Sequence, residues 1–330
     1  MGYFTGKSVL VTGGAGFIGS HLVDALLTTD VGSVCVVDNY FLGTRENLAM
    51  ASKDERLRIV DLDAVEVQGM ERVLQEEKIE TVFNLAVIPL PASLERPRWS
   101  SEVNIDLTLT LCELQRVGAF DELVHFSSSE AYGTAQYIPM DEGHPLLPTT
   151  PYAASKAAGD HLVHGYMLTF GLKTMTVRPF NNYGPRQNMR EYAGIIPTVL
   201  NRISRDEPII LFGDGEQTRD YIYAPDTAAL TLRLVECGRA WGQTINLGTG
   251  AEITIANLVK MIAKMVGTDI KVEFHPDRPG DVRRLSADVR KAETLLGEPL
   301  LLTDLETGLS ATVDWYQSQL PRSGSTTVVG

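Results

Sequence analysis

The chain has 330 residues, 44% of them hydrophobic, which suits two modest lobes or one large domain with an insertion and excludes a disordered chain. Its 29 Lys and Arg against 42 Asp and Glu leave a net charge of −13 with no basic run, a poor match to nucleic acid or to an anionic membrane surface. The 3 cysteines, Cys35, Cys112 and Cys237, are too scattered for a disulfide framework or a CxxC metal site and suit a reducing cytoplasm; no signal peptide, membrane span or metal is expected.

In chain order, the pattern predicts a strand at 8–12, a helix at 17–27, strands at 33–38 and 57–61, a helix at 67–77 and a strand at 80–86. A helix at 102–118, a strand at 121–128, a helix at 152–171 and a strand at 173–180 follow. The strands are continuously apolar, the mark of parallel strands covered on both faces, so a doubly wound α/β sheet is expected. The second half is less regular, with helices at 194–207 and 225–238 and strands at 209–215 and 244–250. A large domain is expected over 1–178 plus 225–250, a smaller lobe over 179–224 plus 251–316, and a disordered end over 317–330.

The stretch GGAGFIG at 13–19 sits between the first strand and the first helix. Gly13, Gly16 and Gly19 allow a tight turn, close approach of a pyrophosphate and close packing of helix on sheet, and the helix N-terminus offers free N–H groups to the phosphates. Asp38 ends the second strand, where a carboxylate accepts from both adenosine ribose hydroxyls and repels a 2′-phosphate; NAD is therefore favoured, although nearby Arg45 leaves NADP open. Asp61, ending the third strand, is a candidate for the adenine amino group or a plain strand-end acid.

Tyr152 and Lys156 are four apart on one helix, hence on one face, and Ser128 ends the preceding strand. A fixed ammonium favours the tyrosine phenolate, which then takes a proton from a sugar hydroxyl while the serine holds that hydroxyl in line.

Together with NLA at 84–86, Asn104, SSSEAYG at 127–133, PYAASK at 151–156, RPFNNYGPRQN at 178–188, GDGEQTRDYIY at 213–223 and RPGDVRR at 278–284, these motifs resemble those of the extended short-chain dehydrogenase/reductases that modify nucleotide sugars. The resemblance runs to about residue 315. It implies a Rossmann-type sheet with a smaller α+β C-terminal substrate lobe, tightly held NAD, C4 oxidation by Tyr152, Lys156 and Ser128, and a homodimer through a four-helix bundle of the 102–118 and 152–171 helices. It extends the cofactor set to Phe17, Ile18, Asn39, Leu62, Leu85, Ala86 and Asn104. It places Asn181, Arg219 and Arg278 on the nucleotide diphosphate of a UDP-sugar, and Pro89 and Ser93, in a proline-stiffened loop at 87–97, near the sugar ring.

Glu130, two residues beyond Ser128, separates the possible reactions. A 4-epimerase only turns the ketone over and needs no second acid or base. Family 4,6-dehydratases carry Asp-Glu after the Ser/Thr, where this chain has Ser129-Glu130, and a serine is a far weaker acid for a leaving hydroxyl. Family decarboxylases carry Ser-Glu and use a C-terminal arginine, here Arg284 or Arg283. UDP-glucuronate decarboxylation to UDP-4-keto-xylose or UDP-xylose is the first expectation, a UDP- or TDP-sugar 4,6-dehydratase the second, a 4-epimerase the third, and a catalytically silent NAD-binding regulator the reading from another class. Amino-sugar dehydratases share Ser-Glu in a context like 133–145, and RRLSAD replaces the decarboxylases' usual Arg-Lys-Pro, so this order stays open.

Overall fold

The computed structural model describes residues 2–278 and 280–319. In the first half, β1 (Ser8–Thr12), α1 (Phe17–Leu27), β2 (Ser33–Asp38), β3 (Leu57–Asp61), α2 (Val67–Glu76) and β4 (Thr81–Asn84) come first. Then follow α3 (Leu90–Glu95), α4 (Pro97–Arg116), β5 (Glu122–Phe126), α5 (Pro151–Phe170) and β6 (Lys173–Pro179). The second half adds β7 (Asn181–Tyr183), α6 (Ile195–Ser204), β8 (Ile209–Phe212), β9 (Thr218–Arg219), β10 (Tyr221–Tyr223) and α7 (Ala224–Glu236). It ends with β11 (Thr244–Leu247), β12 (Ile253–Thr254), α8 (Ile255–Val266), β13 (Val272–His275), α9 (Arg290–Leu296) and α10 (Leu305–Gln319).

Seven strands form one parallel sheet in the order β11-β6-β5-β4-β1-β2-β3. Alternate side chains feed two separate cores, as the pleat requires. Val9, Val11, Val34 and Val36 face Leu22 and Leu26 of α1, while Leu10, Cys35, Val37 and Val82 face Met70, Leu74 and Leu111 of α2 and α4. The chain leaves β1 for β2 and β3, then returns across to β4, so the carboxyl ends of β1 and β4 flank a topological switch point, where such sheets bind ligands.

The stiff loop expected at 87–97 contains a helix, α3, and α4 starts five residues earlier than expected, at Pro97. Pro91 and Pro97 occupy the first turns of their helices, where a missing N–H costs nothing. The expected disordered end at 317–330 overlaps α10, which runs to Gln319; 320–330 lie outside the described residues.

The smaller lobe uses three two-stranded pairs, β7 with β10, β9 with β12 and β8 with β13, packed on α6, α8 and α10. Buried Asp220 ties it together, accepting from the Thr249, Gly250 and Ala287 backbone N–H groups at 2.8, 2.8 and 3.0 Å and from the Thr249 hydroxyl at 2.6 Å.

At the other end of the sheet, the Glu122 carboxylate at the start of β5 gathers Lys173 at 2.6 Å, Lys7 at 3.1 Å, the Thr81 hydroxyl at 2.6 Å and the Tyr3 hydroxyl. Burial pushes this carboxyl up, but the bonds from Lys173, Thr81, Tyr3 and Lys7 outweigh it and hold its pKa below the usual value. A depressed acid stabilises above its unfolded pKa and loses that contribution as pH falls through the folded one. Glu122→Gln should therefore cost about 1–3 kcal/mol in urea unfolding at neutral pH, with the gap to wild type closing in acid. An unchanged midpoint at neutral pH would show that the cluster adds nothing.

Candidate active site

The carboxyl ends of the central strands open into a cavity of about 450 Å3 lined by both lobes. Gly13, with φ +67°, turns the chain under it; a Cβ there would lie 2.8 Å from the Ala86 nitrogen. At Gly19 a Cβ would come within 2.2 Å of the Gly13 carbonyl oxygen, so α1 meets the turn only without a side chain. No side chain caps α1 at Gly16, and its first turn holds no acidic residue. Gly13, Gly16, Phe17, Ile18 and Gly19 all line the cavity; the Gly13 and Gly16 N–H groups are spent on the Val37 and Gly13 carbonyls, which leaves the first-turn N–H groups of 17–19 as an anion site.

Asp38 lines the cavity and is 6% exposed. Its two oxygens accept from the Ala15 and Tyr40 backbone N–H groups at 2.9 and 2.8 Å, which fixes the carboxylate, while burial pushes its pKa up. Asn39, Leu62, Leu85 and Ala86 line the same stretch. The glycine cradle, the uncapped helix start and the fixed carboxylate fit an adenine dinucleotide. Arg45 does not offset Asp38: it lies 4.7 Å over the Tyr40 ring and pairs with Asp61 at 3.6 Å. Asp61 itself is 64% exposed and outside the cavity wall; Asp63, bonded by Asn39 at 3.1 Å, takes that place. Asn104 is also outside the wall. Its amide clamps the Ile88 backbone at 2.7 and 3.1 Å and the Ser155 hydroxyl at 3.0 Å, so it holds the loop that carries Pro89.

Ser128, Ser129, Glu130, Tyr152 and Lys156 meet on the cavity floor. Ser128 caps a single turn over Ser129–Tyr132, its hydroxyl accepting from the Glu130 N–H at 3.2 Å. Thr150 caps α5 through the Ala153 N–H, and Pro151 opens the helix, which brings Tyr152 and Lys156 onto the face over β5. Burial pushes the Tyr152 phenol up to about 12, partly offset by a hydrogen bond with Ser128, and Glu130 adds to the rise. Burial lowers Lys156 to about 8, and its ammonium donates to the Phe126 carbonyl. The ammonium is thus tied to backbone, and the expected lowering of the phenol by Lys156 is not what the protein alone achieves. The Glu130 carboxyl takes no side-chain hydrogen bond among the described residues, and burial pushes its pKa up against the pull of Arg219.

Among the described residues, the cavity-lining Asn181 amide oxygen and Ser127 hydroxyl are buried without a hydrogen-bond partner; the Arg186 Nη1, also in the wall, makes no hydrogen bond but pairs with Asp24 at 2.7 Å. A ligand with complementary hydrogen-bonding groups satisfies the amide oxygen and the hydroxyl.

Residues 10–298 match the family model described as GDP-mannose 4,6 dehydratase. The chain belongs to that family. It is one of the extended short-chain dehydrogenase/reductases acting on nucleotide sugars. Among curated relatives, the UDP-glucose 4-epimerase of Mycolicibacterium smegmatis is 36% identical over 94% of this chain and 98% of its own. The UDP-glucuronic acid decarboxylase 1 of Xenopus tropicalis is 31% identical over 95% of this chain and 73% of its own. Among solved structures, the UDP-glucuronic acid 4-epimerase of Bacillus cereus, in complex with UDP-glucuronic acid and NAD, superposes with a TM-score of 0.88 at 30% identity, covering 95% of this chain and 100% of that one.

Within this dehydratase-family fold, the substrate-lobe residues divide. Asn181 and Pro89 line the cavity; Ser93, Arg219, Arg278, Arg283 and Arg284 do not. Ser93 is buried inside α3, its hydroxyl spent on the Leu90 carbonyl at 2.7 Å. Arg219 is paired to Asp281 at 2.7 Å, close enough behind the floor for its charge to reach Glu130. Arg278 lies 3.9 Å over the Phe212 ring. Arg283 pairs with Asp214 at 2.7 Å, and Arg284 with Glu252 at 3.1 Å through its Nε. Neither arginine of the 283–284 pair lines the cavity; a carboxylate of the small lobe holds each. Sequence reasoning missed Phe41, Asp63, Ser127, Arg186 and Tyr192 in the wall. Ser127 and Arg186 lay within motifs already singled out; the aromatic pair Phe41 and Tyr192, whose rings stack at 6.3 Å from opposite sides of the cleft, carried no signal.

Proposed function

We infer that the protein is an NAD-dependent nucleotide-sugar enzyme that oxidises the sugar at C4 and then acts at C5–C6 through Glu130, with UDP-glucuronate decarboxylation as the reaction. One observation carries this: an unbonded carboxyl with raised proton affinity stands in the cavity beside the Ser128–Tyr152 pair. A simple epimerase has no use for it.

The glycine turn, the first N–H groups of α1, Asp38 and Lys156 would hold NAD, which when bound supplies the hydride acceptor and a positive charge favouring the Tyr152 phenolate. Ser128 orients the C4 hydroxyl and Tyr152 takes its proton. With its C4 hydride also given up to that acceptor, the sugar would be a β-keto acid. Its C5–C6 bond breaks, CO2 leaves, and the electron pair stays on C5, delocalised onto the C4 oxygen. Glu130, whose carboxyl burial makes a weaker acid than usual, delivers a proton to C5. That role replaces the one expected of Arg284, which Glu252 holds outside the cavity wall. Exposed Val117, Leu168 and Phe170 at the ends of α4 and α5 support a homodimer through those helices.

Arg284 favours a second reading, dehydration. Without that arginine, Glu130 alone can take the C5 proton and return it to the departing C6 hydroxyl, because the two carbons are adjacent. The epimerase relatives support a third.

Chromatography that resolves isomers, coupled to mass spectrometry, after incubation with NAD and UDP-glucuronate, UDP-glucose, UDP-N-acetylglucosamine or TDP-glucose separates these. A UDP-glucuronate product lighter by CO2 is expected. Loss of water from a neutral sugar, with UDP-glucuronate untouched, would replace decarboxylation by dehydration. An isomer of unchanged mass would leave Glu130 without a chemical role.

A further inference from the structure

A buried polar chain runs beneath the catalytic floor, and the reaction scheme does not use it. Asp160 lies one helical turn beyond Lys156 on α5 and is 5% exposed. Its Oδ2 accepts from the Nε of Arg178, on β6, at 2.8 Å. The Nη1 of the same guanidinium donates to the Tyr132 hydroxyl at 2.9 Å. Tyr132 closes the turn that carries Ser129 and Glu130, and its hydroxyl donates to Asn246 of β11 at 2.7 Å. Asn246 in turn donates to the Met140 carbonyl at 2.9 Å. Tyr132 and Asn246 are fully buried, and Arg178 is 6% exposed.

The geometry points to Asp160 and Arg178 as positioning residues that fix the turn bearing Glu130 against the helix bearing Tyr152 and Lys156, with Asp160 as shared counter-ion of Arg178 and Lys156. This rests on the reading that Tyr152 and Glu130 act in sequence on one sugar. The groups facing Asp160 are Arg178 from β6, His125 from β5, with its Nε2 3.7 Å from Oδ1, and Lys156 from its own helix. Tyr132 stands behind Arg178, and Glu142 lies near Tyr132. Burial, Lys156 and Arg178 hold the His125 imidazole neutral, so it adds no charge. One carboxylate therefore serves two buried cations, and its field raises the Lys156 pKa against burial. Arginine suits position 178 because two nitrogens of its rigid fork reach Asp160 and Tyr132 at once.

Two measurements test this. The first is the pH profile of turnover on whichever sugar wild type converts. Asp160→Asn leaves Lys156 without its counter-ion, so the alkaline loss of activity should move down by about one pH unit, a tenfold drop at fixed alkaline pH, with Asp160→Glu restoring part of it. A purely structural role lowers activity evenly across pH, and that result overturns the counter-ion assignment. The second needs no substrate, and so still decides if the functional reading fails. Amide hydrogen exchange over 127–133 should speed up at least tenfold in Arg178→Lys and Tyr132→Phe, with exchange in α1 unchanged. Unaltered exchange over 127–133 in both variants overturns the positioning role. Turnover by no nucleotide sugar in wild type would instead overturn the reading of function.

Discussion

Tyr152→Phe should lower turnover by about a hundredfold to ten-thousandfold while the protein stays folded and keeps its cofactor cleft. The substitution removes one oxygen from a side chain whose ring already sits between α5 and the turn at Ser128. Nothing in the cores depends on that oxygen, so thermal stability should move little. What disappears is the atom that accepts the C4 proton. Because the phenol stands at about 12 in the protein alone, wild-type activity should also climb with pH until Lys156, at about 8, begins to lose its charge. The variant should lack that rise. Turnover within a few-fold of wild type would remove C4 deprotonation by Tyr152 from the scheme.

Glu130→Gln keeps the size of the side chain and removes its acid–base function. C4 oxidation should survive, seen as the absorbance of reduced nicotinamide, while release of the altered sugar falls by about a hundredfold to ten-thousandfold. The pH dependence identifies the reaction. Burial raises the Glu130 pKa, so its protonated form persists above the usual carboxylate range. If that form protonates C5 after CO2 has left, the second step should slow as pH rises through the raised pKa. If the carboxylate withdraws the C5 proton in a dehydration, the second step should quicken over the same window. An unaffected product rate in the glutamine variant would exclude both.

The parts of the site legible in the sequence are those fixed by local geometry. Gly13, Gly16 and Gly19 are dictated by a strand-turn-helix with no room for Cβ, and Tyr152 and Lys156 by helical spacing. Residues chosen by what lies opposite them were not legible. Asp38 and Asp61 pair in register at the ends of β2 and β3 and look alike in the sequence. Yet β3 is the edge strand, so Asp61 opens to solvent and Arg45, while Asp38 is covered by the loop at Gly43. Arg284 reads as a free cation until the fold brings up Glu252, 32 residues away in sequence. Asn104 and Ser93 look like polar contacts for a ligand, but each is spent on backbone carbonyls of the 88–90 segment. The prolines at 91 and 97 signalled a loop because proline favours loops and helix starts alike.

The return of the chain to the large sheet has a consequence for recombination. The smaller lobe draws on two stretches, β7 to β10 and then β12 onward, separated by α7 and β11 and interrupted by α9, which pack with the large sheet. The Asp220 carboxylate of the first stretch grips Ala287 of the second and the Thr249–Gly250 corner between them. Specificity in this architecture is therefore not a cassette. A single crossover between this chain and a relative would pair half of one parent's lobe with half of the other's and break the Asp220 grip wherever the loop shapes differ. A chimera that exchanges both stretches together keeps each lobe whole, so new substrate ranges should arise more readily by point changes in the cleft wall than by shuffling.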